Sequence, residues 1–269
     1  MLRFPDSLSW VDPVEDRIIA ATGAGGKTSC LEYLALQLKL LGHKVLLTTT
    51  TRIFRPSPTG FGQYVDRLIE QDVLAQTACE PGASSITVAG FAGESPDENP
   101  EKLSGLDPEA IQHLISLNIY DNILIEADGS RQRPLKAPAK NEPVLPDSCQ
   151  VIIGVTGWTG IGKPVNPQHI HRWEQFSGIT GLSEGDRLSP EAMHRLLKAK
   201  HGLFKNAPAN ARRVWLINQV DTAADRADAS DFISTVQTLS PPVHHCLISS
   251  FKGSSGFFLR EVVRETAST

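Results

Sequence analysis

Short, continuous runs of apolar and β-branched residues recur along the chain and constrain its fold more than any other feature. Such runs predict strands that are covered on both faces, whereas strands with one wet face alternate apolar and polar residues. Stretches with helical spacing separate the runs, as Leu31, Leu34 and Leu38 do after the first one. We therefore expect an α/β fold, with a doubly wound, mostly parallel sheet and helices on both faces. The predicted strands are 17–22, 44–49, 84–90, 122–129, 149–157, 212–221 and 244–250.

The length and composition fit a single domain over residues 1–269, with a loop and helical insert near 157–210. The formal net charge of -4 gives no basic footprint for nucleic acid, so we expect no nucleic-acid partner. No run of about 18 apolar residues occurs, which predicts no membrane span. Proline and acidic residues interrupt the first 17 positions, unlike a secretory signal. With four scattered cysteines and no CxxC pair, these features predict a cytoplasmic protein without a zinc site built from cysteine.

The sequence TGAGGKTS lies between the first predicted strand and the first predicted helix. Its glycines allow the backbone to approach an anion, and the helix N-terminus adds positive dipole character. We expect Lys27 to contact the terminal phosphates of a nucleotide and Thr28 to ligate Mg²⁺. The predicted nucleotide-binding residues in this loop are Gly23, Ala24, Gly25, Gly26, Lys27, Thr28 and Ser29.

One position departs from the usual phosphate-loop pattern. A glycine normally stands six residues before the lysine, but this chain has Ala21 there. A glycine-rich turn with an incidental lysine is the alternative interpretation. The strand before the loop and the helix after it favour phosphate binding and a P-loop NTPase-like fold.

Two acids end the predicted strand 122–129. Glu126 and Asp128 are two positions apart, so in an extended chain both side chains point to the same side. Carboxylates at the end of a strand beside a phosphate loop suit Mg²⁺ or a general base. We predict Thr28, Glu126 and Asp128 as the metal site, and Lys27, Glu126, Asp128 and Arg131 as the catalytic residues. Solvated strand-end acids are the alternative.

Basic and hydroxyl side chains follow several of the predicted strands. Arg131, Arg133 and Lys136 come directly after the acids, where arginine could clamp a phosphate or carboxylate in a bidentate way. Hydroxyls at the end of the second strand face the same crevice of a parallel sheet. The predicted substrate-contacting residues are Thr50, Thr51, Arg52, Arg131, Arg133, Lys136, His171 and Arg172. A solvated linker and a β-prone strand end are the alternatives.

The strand-end sequence Asn218-Gln219-Val220-Asp221 suggests how a base is chosen. GTP-binding folds often have Asn-Lys-x-Asp at this place, where the Asp accepts from guanine and the Asn supports the loop. Gln219 replaces the lysine, which weakens a guanine preference and leaves ATP or GTP as the ligand. The segment 249–254 follows the next strand, where such folds place a loop near the base.

Together, the strings TGAGGKTS, LLTTTTRIF, LIEADGSRQRPLKAPAKNEPVLP, HIHRWEQF and LINQVD resemble the YqeC-type family. Its members are accessory proteins of selenium-dependent molybdenum hydroxylases. The resemblance implies a P-loop NTPase-like fold, nucleotide binding and a part in selenium or molybdenum cofactor maturation. The implied partners are a nucleoside triphosphate and a molybdenum hydroxylase or a cofactor-maturation protein, with a homodimer as a further possibility.

We therefore expect a Mg²⁺-dependent NTPase whose hydrolysis of ATP or GTP is coupled to cofactor maturation. One alternative is a transferase or ligase that uses ATP to activate a small acid or selenium species. The other is a nucleotide-binding switch or carrier with negligible turnover, which the off-pattern Ala21 and Gln219 favour.

Overall fold

The computed structural model of the chain describes residues 8–92, 101–251 and 258–262. The helices are α1 (Lys27–Leu40), α2 (Val73–Thr77), α3 (Pro108–Leu117), α4 (Trp158–Ile161), α5 (Trp173–Thr180), α6 (Pro190–Lys198) and α7 (Ala223–Thr238). The first strands are β1 (Ile18–Gly23), β2 (Lys44–Thr49), β3 (Arg52–Phe54), β4 (Arg67–Ile69), β5 (Ser85–Ala89), β6 (Phe91–Ala92) and β7 (Lys102–Ser104). The remaining strands are β8 (Asn122–Glu126), β9 (Leu135–Lys136), β10 (Val151–Gly157), β11 (Ile170–His171), β12 (Arg212–Asn218), β13 (His245–Ser250) and β14 (Phe258–Glu261).

Nine strands form one sheet in the order β14-β13-β12-β10-β1-β8-β2-β5-β4. The pairings β1–β8, β8–β2, β2–β5, β5–β4 and β12–β13 are parallel, and β13–β14 is antiparallel. All seven predicted strands belong to this sheet, and the two further strands, β4 and β14, lie at its edges. The predicted α/β fold with a doubly wound, mostly parallel sheet is confirmed.

Burial explains why the central strands read as continuous apolar runs. β1, β5, β8 and β10 are buried along their whole length, so water does not select polar residues at alternate positions. Helix starts follow equally local rules. The Asp107 side chain accepts from the Ala110 amide at 2.7 Å, and Pro108 occupies the first turn of α3.

The chain divides into two compact units. The first consists of the described residues in Met1–Ala21, Thr28–Gly129 and Val144–Val151, and it includes the small antiparallel sheet β3-β7-β6. The second consists of those in Thr22–Lys27, Ser130–Pro143 and Ile152–Thr269. Between β10 and β12, this second unit carries α4, β11, α5 and α6. Within the described ranges, every helix is too short or too polar to span a lipid bilayer.

Candidate functional site

The turn after β1 is shorter than the usual phosphate-loop pattern suggests. β1 continues to Gly23, so Ala21 lies inside the strand, fully buried, and pairs in register with Glu126. Three residues, 24–26, then connect the strand to α1. An extended strand accepts any residue, so position 21 does not require glycine, and the off-pattern alanine is explained by where the turn begins.

Two glycines in this turn are required by both conformation and space. Gly25 and Gly26 have φ values of 91° and 127°, which side chains other than glycine rarely adopt. A Cβ on Gly25 would lie 2.5 Å from the Gly157 nitrogen, and one on Gly26 would lie 2.0 Å from Asn218 Nδ2. The Ala24 amide donates to the Val155 carbonyl at 2.9 Å, which anchors the turn to β10.

The first turn of α1 begins with Lys27, Thr28 and Ser29 and contains no acidic residue. The positive end of the helix dipole therefore meets the glycine turn. Lys27 is 3% exposed, and its Nζ donates to the Gly23 carbonyl at 2.7 Å. The ammonium group is thus folded over the turn, where it adds a positive charge to the helix N-terminus.

Thr28 meets a carboxylate from a distant strand. Its Oγ1 donates to Glu126 Oε2 at 2.6 Å, and Glu126 is the last residue of β8. Asp128 follows two residues later and is 1% exposed. Of the predicted metal residues, the structure brings Thr28 and Glu126 together and buries Asp128 just past the same strand end.

This donor set fits Mg²⁺. Magnesium is usually bound through one or two carboxylates plus water and substrate phosphates, and does not need a complete protein cage. In the parts of the chain that the structure describes, no three His, Cys, Asp or Glu side chains form a group that could hold a metal. One hydroxyl and one carboxylate at a helix N-terminus are enough for magnesium but not for a structural zinc site.

The threonines after β2 are tied to the end of β8. Thr49 Oγ1 donates to the Glu126 carbonyl at 2.8 Å, and Thr50 Oγ1 donates to the Ala127 carbonyl at 3.1 Å. The Thr51 amide donates to Thr49 Oγ1. Arg52, in contrast, is exposed and starts β3 in the small antiparallel sheet. Thr50 therefore bonds the acidic strand end directly and Thr51 bonds Thr49, whereas Arg52 lies in the small antiparallel sheet.

The predicted base-reading turn contacts the glycine turn through Asn218. Its Nδ2 donates to the Gly25 carbonyl at 2.7 Å, and its Oδ1 accepts from Ser249 Oγ at 3.0 Å. The exposed Asp221 accepts from Ser250 Oγ at 2.6 Å. The Asn218 side chain thus bonds the glycine turn and the Asp221 carboxylate is exposed, while base reading by Asp221 stays a prediction. Residues 252–254 of the predicted loop lie outside the described residues.

Gln219, which lies between Asn218 and Asp221 in the chain, bonds a different segment. It has a left-handed φ of 66°, and its Oε1 accepts from Thr159 Oγ1 at 2.5 Å. The bond holds Gln219 against the start of α4. The residue that replaces lysine in the Asn-x-x-Asp turn therefore ties two strand ends together.

The predicted basic residues beyond β8 differ in their contacts. Arg133 Nη1 donates to the Ile170 carbonyl at 2.7 Å, so this side chain fastens β9 to β11. Lys136 is 2% exposed, and its Nζ lies 3.1 Å from Glu142 Oε2. Arg172 Nη2 reaches the other oxygen, Oε1, of the same carboxylate at 2.8 Å. Arg131 is exposed, with a φ of 51°.

His171 lies beside Lys136 and Arg172, which share the Glu142 carboxylate, and is neutral at ordinary pH. It pairs in register with Lys136 on β9. Burial, followed by the nearby charges of Lys136, Arg172 and Arg131, lowers the pKa of His171 to about 4. Burial would raise the pKa of Glu142, but Lys136 and Arg172 more than offset this and lower it. His171 can therefore accept or donate a hydrogen bond without carrying charge.

Sequence reasoning missed Glu142 and the role of Thr159. Glu142 had a signal, because it is the single acid in the basic segment 130–143. The hydroxyl of Thr159 had none, since threonine is common in turns and its partner Gln219 comes from a distant segment of the chain. Ser250 lies in the predicted segment 249–254, but its bond to Asp221 was not predicted.

Comparison with known proteins is consistent with the sequence resemblance. The YqeC protein family matches residues 19–174. The Escherichia coli (strain K12) protein named "Uncharacterized protein YqeC" is 38% identical over 223 residues, which cover 82% of this chain and 82% of that protein. No solved structure is significantly similar to the chain. With a family match over more than half its length and this relative, the chain belongs to the YqeC protein family.

Proposed function

We propose that the protein binds a nucleoside triphosphate, ATP or GTP, with Mg²⁺ and hydrolyses it. The observation that carries the proposal is the 2.6 Å bond from Thr28 Oγ1 to Glu126 Oε2. It joins the hydroxyl that follows the loop lysine to the acid at the end of β8. A glycine turn that happens to contain Lys-Thr does not require this partner.

The parts supply what phosphoryl transfer needs, namely positioning and charge stabilisation. The glycine turn and the N-terminus of α1 suit the phosphates, and Lys27 supplies charge to the terminal ones. Thr28 and Glu126 would hold Mg²⁺, which when bound neutralises charge on the phosphate oxygens. Asp128 or Glu126 would orient a water that attacks the terminal phosphorus. The bond to the bridging oxygen then breaks, which releases the nucleoside diphosphate, phosphate and a proton.

We further propose that this turnover serves selenium or molybdenum cofactor maturation for a hydroxylase in the cytoplasm. This part rests on the family resemblance carried by the TGAGGKTS and EADGSRQRPLKAPA strings. A hydroxylase or another maturation protein would be the partner, and the protein could act as a homodimer. Purified protein that raises hydroxylase activation only with a hydrolysable nucleotide would support the coupling, and equal activation with a non-hydrolysable analogue would contradict it.

A second candidate is transfer of a phosphoryl or nucleotidyl group to a small acid or selenium species. Two cations that share the Glu142 carboxylate, the buried Lys136 and the guanidinium of Arg172, favour this candidate. Such cations suit an anionic acceptor. The two candidates differ in products. Hydrolysis to diphosphate at the full rate without acceptor supports the NTPase, and turnover that requires an added acceptor supports the transferase.

Binding of ATP and GTP by calorimetry, with and without Mg²⁺, tests the proposal. We expect Lys27→Ala to weaken binding at least about tenfold, whereas Lys39→Ala, in the last turn of the same helix, leaves it unchanged. Absence of Mg²⁺-dependent binding of any nucleoside triphosphate would contradict the proposal. Binding with turnover no faster than the uncatalysed background would instead identify a switch or carrier.

A further inference from the structure

The end of β8 carries both proposed acids, and one residue separates them. Glu126 is the last residue of β8, and Asp128 follows after the fully buried Ala127. The main chain at 126–127 therefore sets where both carboxylates start. The bond from Thr28 Oγ1 at 2.6 Å fixes only the far end of the Glu126 side chain. The main chain must be fixed as well if the carboxylate is to keep one position.

The peptide unit between Glu126 and Ala127 is bonded to both neighbouring strands. The Glu126 carbonyl accepts from two donors at the end of β2, Thr49 Oγ1 at 2.8 Å and the Thr50 amide at 3.0 Å. On the other side, the Ala127 amide donates to the Ala21 carbonyl of β1 at 3.0 Å. The unit cannot rotate without breaking these bonds, so the sheet itself holds the base of the acid pair.

Thr49 contributes the side-chain part of this bonding. It is fully buried and stands opposite Glu126 in the β2–β8 register. Its Oγ1 donates to the Glu126 carbonyl and also accepts from the Thr51 amide at 3.0 Å. A hydroxyl can donate and accept at once, whereas a valine of nearly the same shape can do neither. Thr49 therefore links the main chain of the acid to the turn that leaves β2.

The turn at Thr49 is held in its own place by the segment that follows β7. The Leu106 amide donates to the Thr49 carbonyl at 2.8 Å, and the Gly105 amide donates to the Thr51 carbonyl at 2.5 Å. A Cβ on Gly105 would lie 2.5 Å from the Thr51 nitrogen, so the two backbones pack directly against each other. The Thr49 hydroxyl is thus a fixed support for Glu126.

We propose that Thr49 is a positioning residue for the metal site, which holds the Glu126 and Asp128 carboxylates, through the main chain of Glu126, in the geometry that Mg²⁺ requires. The role rests on the proposed function, which assigns the ion to these acids. Mg²⁺ demands near-ideal octahedral geometry at about 2.0–2.1 Å, whereas Ca²⁺ accepts longer and more variable distances. A fixed acid pair therefore favours Mg²⁺ over Ca²⁺, and a loosened pair loses that preference.

The neighbouring Thr48 provides a matched control. It is also fully buried, and its Oγ1 donates to the Ala89 carbonyl of β5 at 2.9 Å. Thr48→Val and Thr49→Val each remove one buried bond from a hydroxyl to a carbonyl, with the same change of shape. Only Thr49→Val removes a bond to Glu126. A purely structural role of Thr49 predicts that the two variants need the same concentration of metal.

Calorimetric titration of ATP and GTP at a series of Mg²⁺ or Ca²⁺ concentrations tests the role. We expect Thr49→Val to raise the Mg²⁺ concentration that half-saturates nucleotide binding about tenfold, as loss of a group that orients metal ligands does. The corresponding Ca²⁺ concentration should change less than about twofold. Thr48→Val should leave both values within about twofold, and Thr49→Ser, which keeps the hydroxyl, should restore the Mg²⁺ value. Urea unfolding of each variant shows that the compared proteins are folded.

The outcomes distinguish the role of Thr49 from the proposed function. Equal Mg²⁺ requirements in Thr49→Val and Thr48→Val, or no recovery in Thr49→Ser, overturn the positioning role while the parent still binds nucleotide with Mg²⁺. Equal losses for Mg²⁺ and Ca²⁺ in Thr49→Val overturn the selection of Mg²⁺ by geometry. A parent that binds no nucleoside triphosphate with Mg²⁺ overturns the proposed function and the role of Thr49 with it.

A second variant keeps the role testable if Thr49→Val does not fold. Thr50→Val removes the bond of 3.1 Å from Thr50 Oγ1 to the Ala127 carbonyl, in the same pinned stretch. It should raise the half-saturating Mg²⁺ concentration at least about threefold more than Thr48→Val does. Equal values in these two variants overturn the positioning role.

Discussion

The side-chain amide of Asn218 donates to the carbonyl of Gly25 at 2.7 Å, although 193 positions separate the two residues in the chain. The other end of the same amide accepts from Ser249 at 3.0 Å. Asn218 is 5% exposed, so both bonds are shielded from water. The glycine turn is thereby fixed by the ends of β12 and β13.

Removing the amide should loosen that turn. Asn218→Ala leaves the Gly25 carbonyl and the Ser249 hydroxyl without this partner, so we expect the free energy of unfolding to fall by about 1–3 kcal/mol. Nucleotide affinity should fall as well, because the turn is less preorganised. Denaturant unfolding and calorimetry measure the two effects. Ser249→Ala, which keeps the bond to Gly25, should cost less on both scales, and nucleotide affinity unchanged in Asn218→Ala would contradict the supporting role.

A methyl group at Gly26 should be poorly tolerated. Gly26→Ala places a Cβ 2.0 Å from Asn218 Nδ2 and demands a φ of 127°. We expect a loss of about 1–3 kcal/mol in the free energy of unfolding, and a double variant with Asn218→Ala that costs less than the two single costs together. Gly178→Ala is the control, since its Cβ would meet nothing within 4 Å in α5. The control should be neutral or stabilising by up to about 1 kcal/mol, and equal destabilisation at both sites would contradict the steric argument.

Stability should depend on pH through His171. Its pKa falls from 6.5 to about 4 in the fold. Between these values the unfolded chain takes up a proton that the folded chain does not, so the free energy of unfolding decreases as the pH falls. The decrease is at most about 3 kcal/mol and levels off below pH 4, where the folded chain also takes up the proton. Unfolding curves of the parent and of His171→Gln between pH 7 and pH 4 check this, and the variant should lack this part of the slope. If the free energy of unfolding changed equally with pH in the parent and in the variant, His171 would not contribute to the pH dependence of stability.

Exchange of the displayed carboxylate should change base preference. Asp221→Asn replaces an acceptor by a group that also donates, which suits the additional oxygen of xanthine better than the amine of guanine. We expect GTP affinity to fall about tenfold and xanthosine triphosphate affinity to rise, with ATP as the reference ligand. Ser250→Ala leaves the carboxylate in place and should preserve the order of the three nucleotides. Equal losses for GTP and ATP would mean that Asp221 does not read the base.

The strands and the glycine turn could be predicted because their causes are local. Continuous burial leaves continuous apolar runs, and a phosphate turn needs glycine at positions such as Gly25 and Gly26, where φ is positive. Arg133 and Glu142 show the limit. Both stand in one polar, proline-rich segment, yet Arg133 fastens a strand to Ile170, while Glu142 collects two cations from separate segments. Residue type gave the charge of each side chain but not its partner.

The sequence by itself determined an α/β chain with a glycine turn between a buried strand and a helix, because spacing, propensity and backbone freedom act over a few residues. It also placed Glu126 and Asn218 at strand ends. Only the tertiary structure decided that Glu126 meets Thr28, that Asn218 bonds Gly25, and that Lys136 and Arg172 share Glu142. These pairs join residues up to 193 positions apart, and their distances depend on how strands of one sheet are ordered, which no local pattern records.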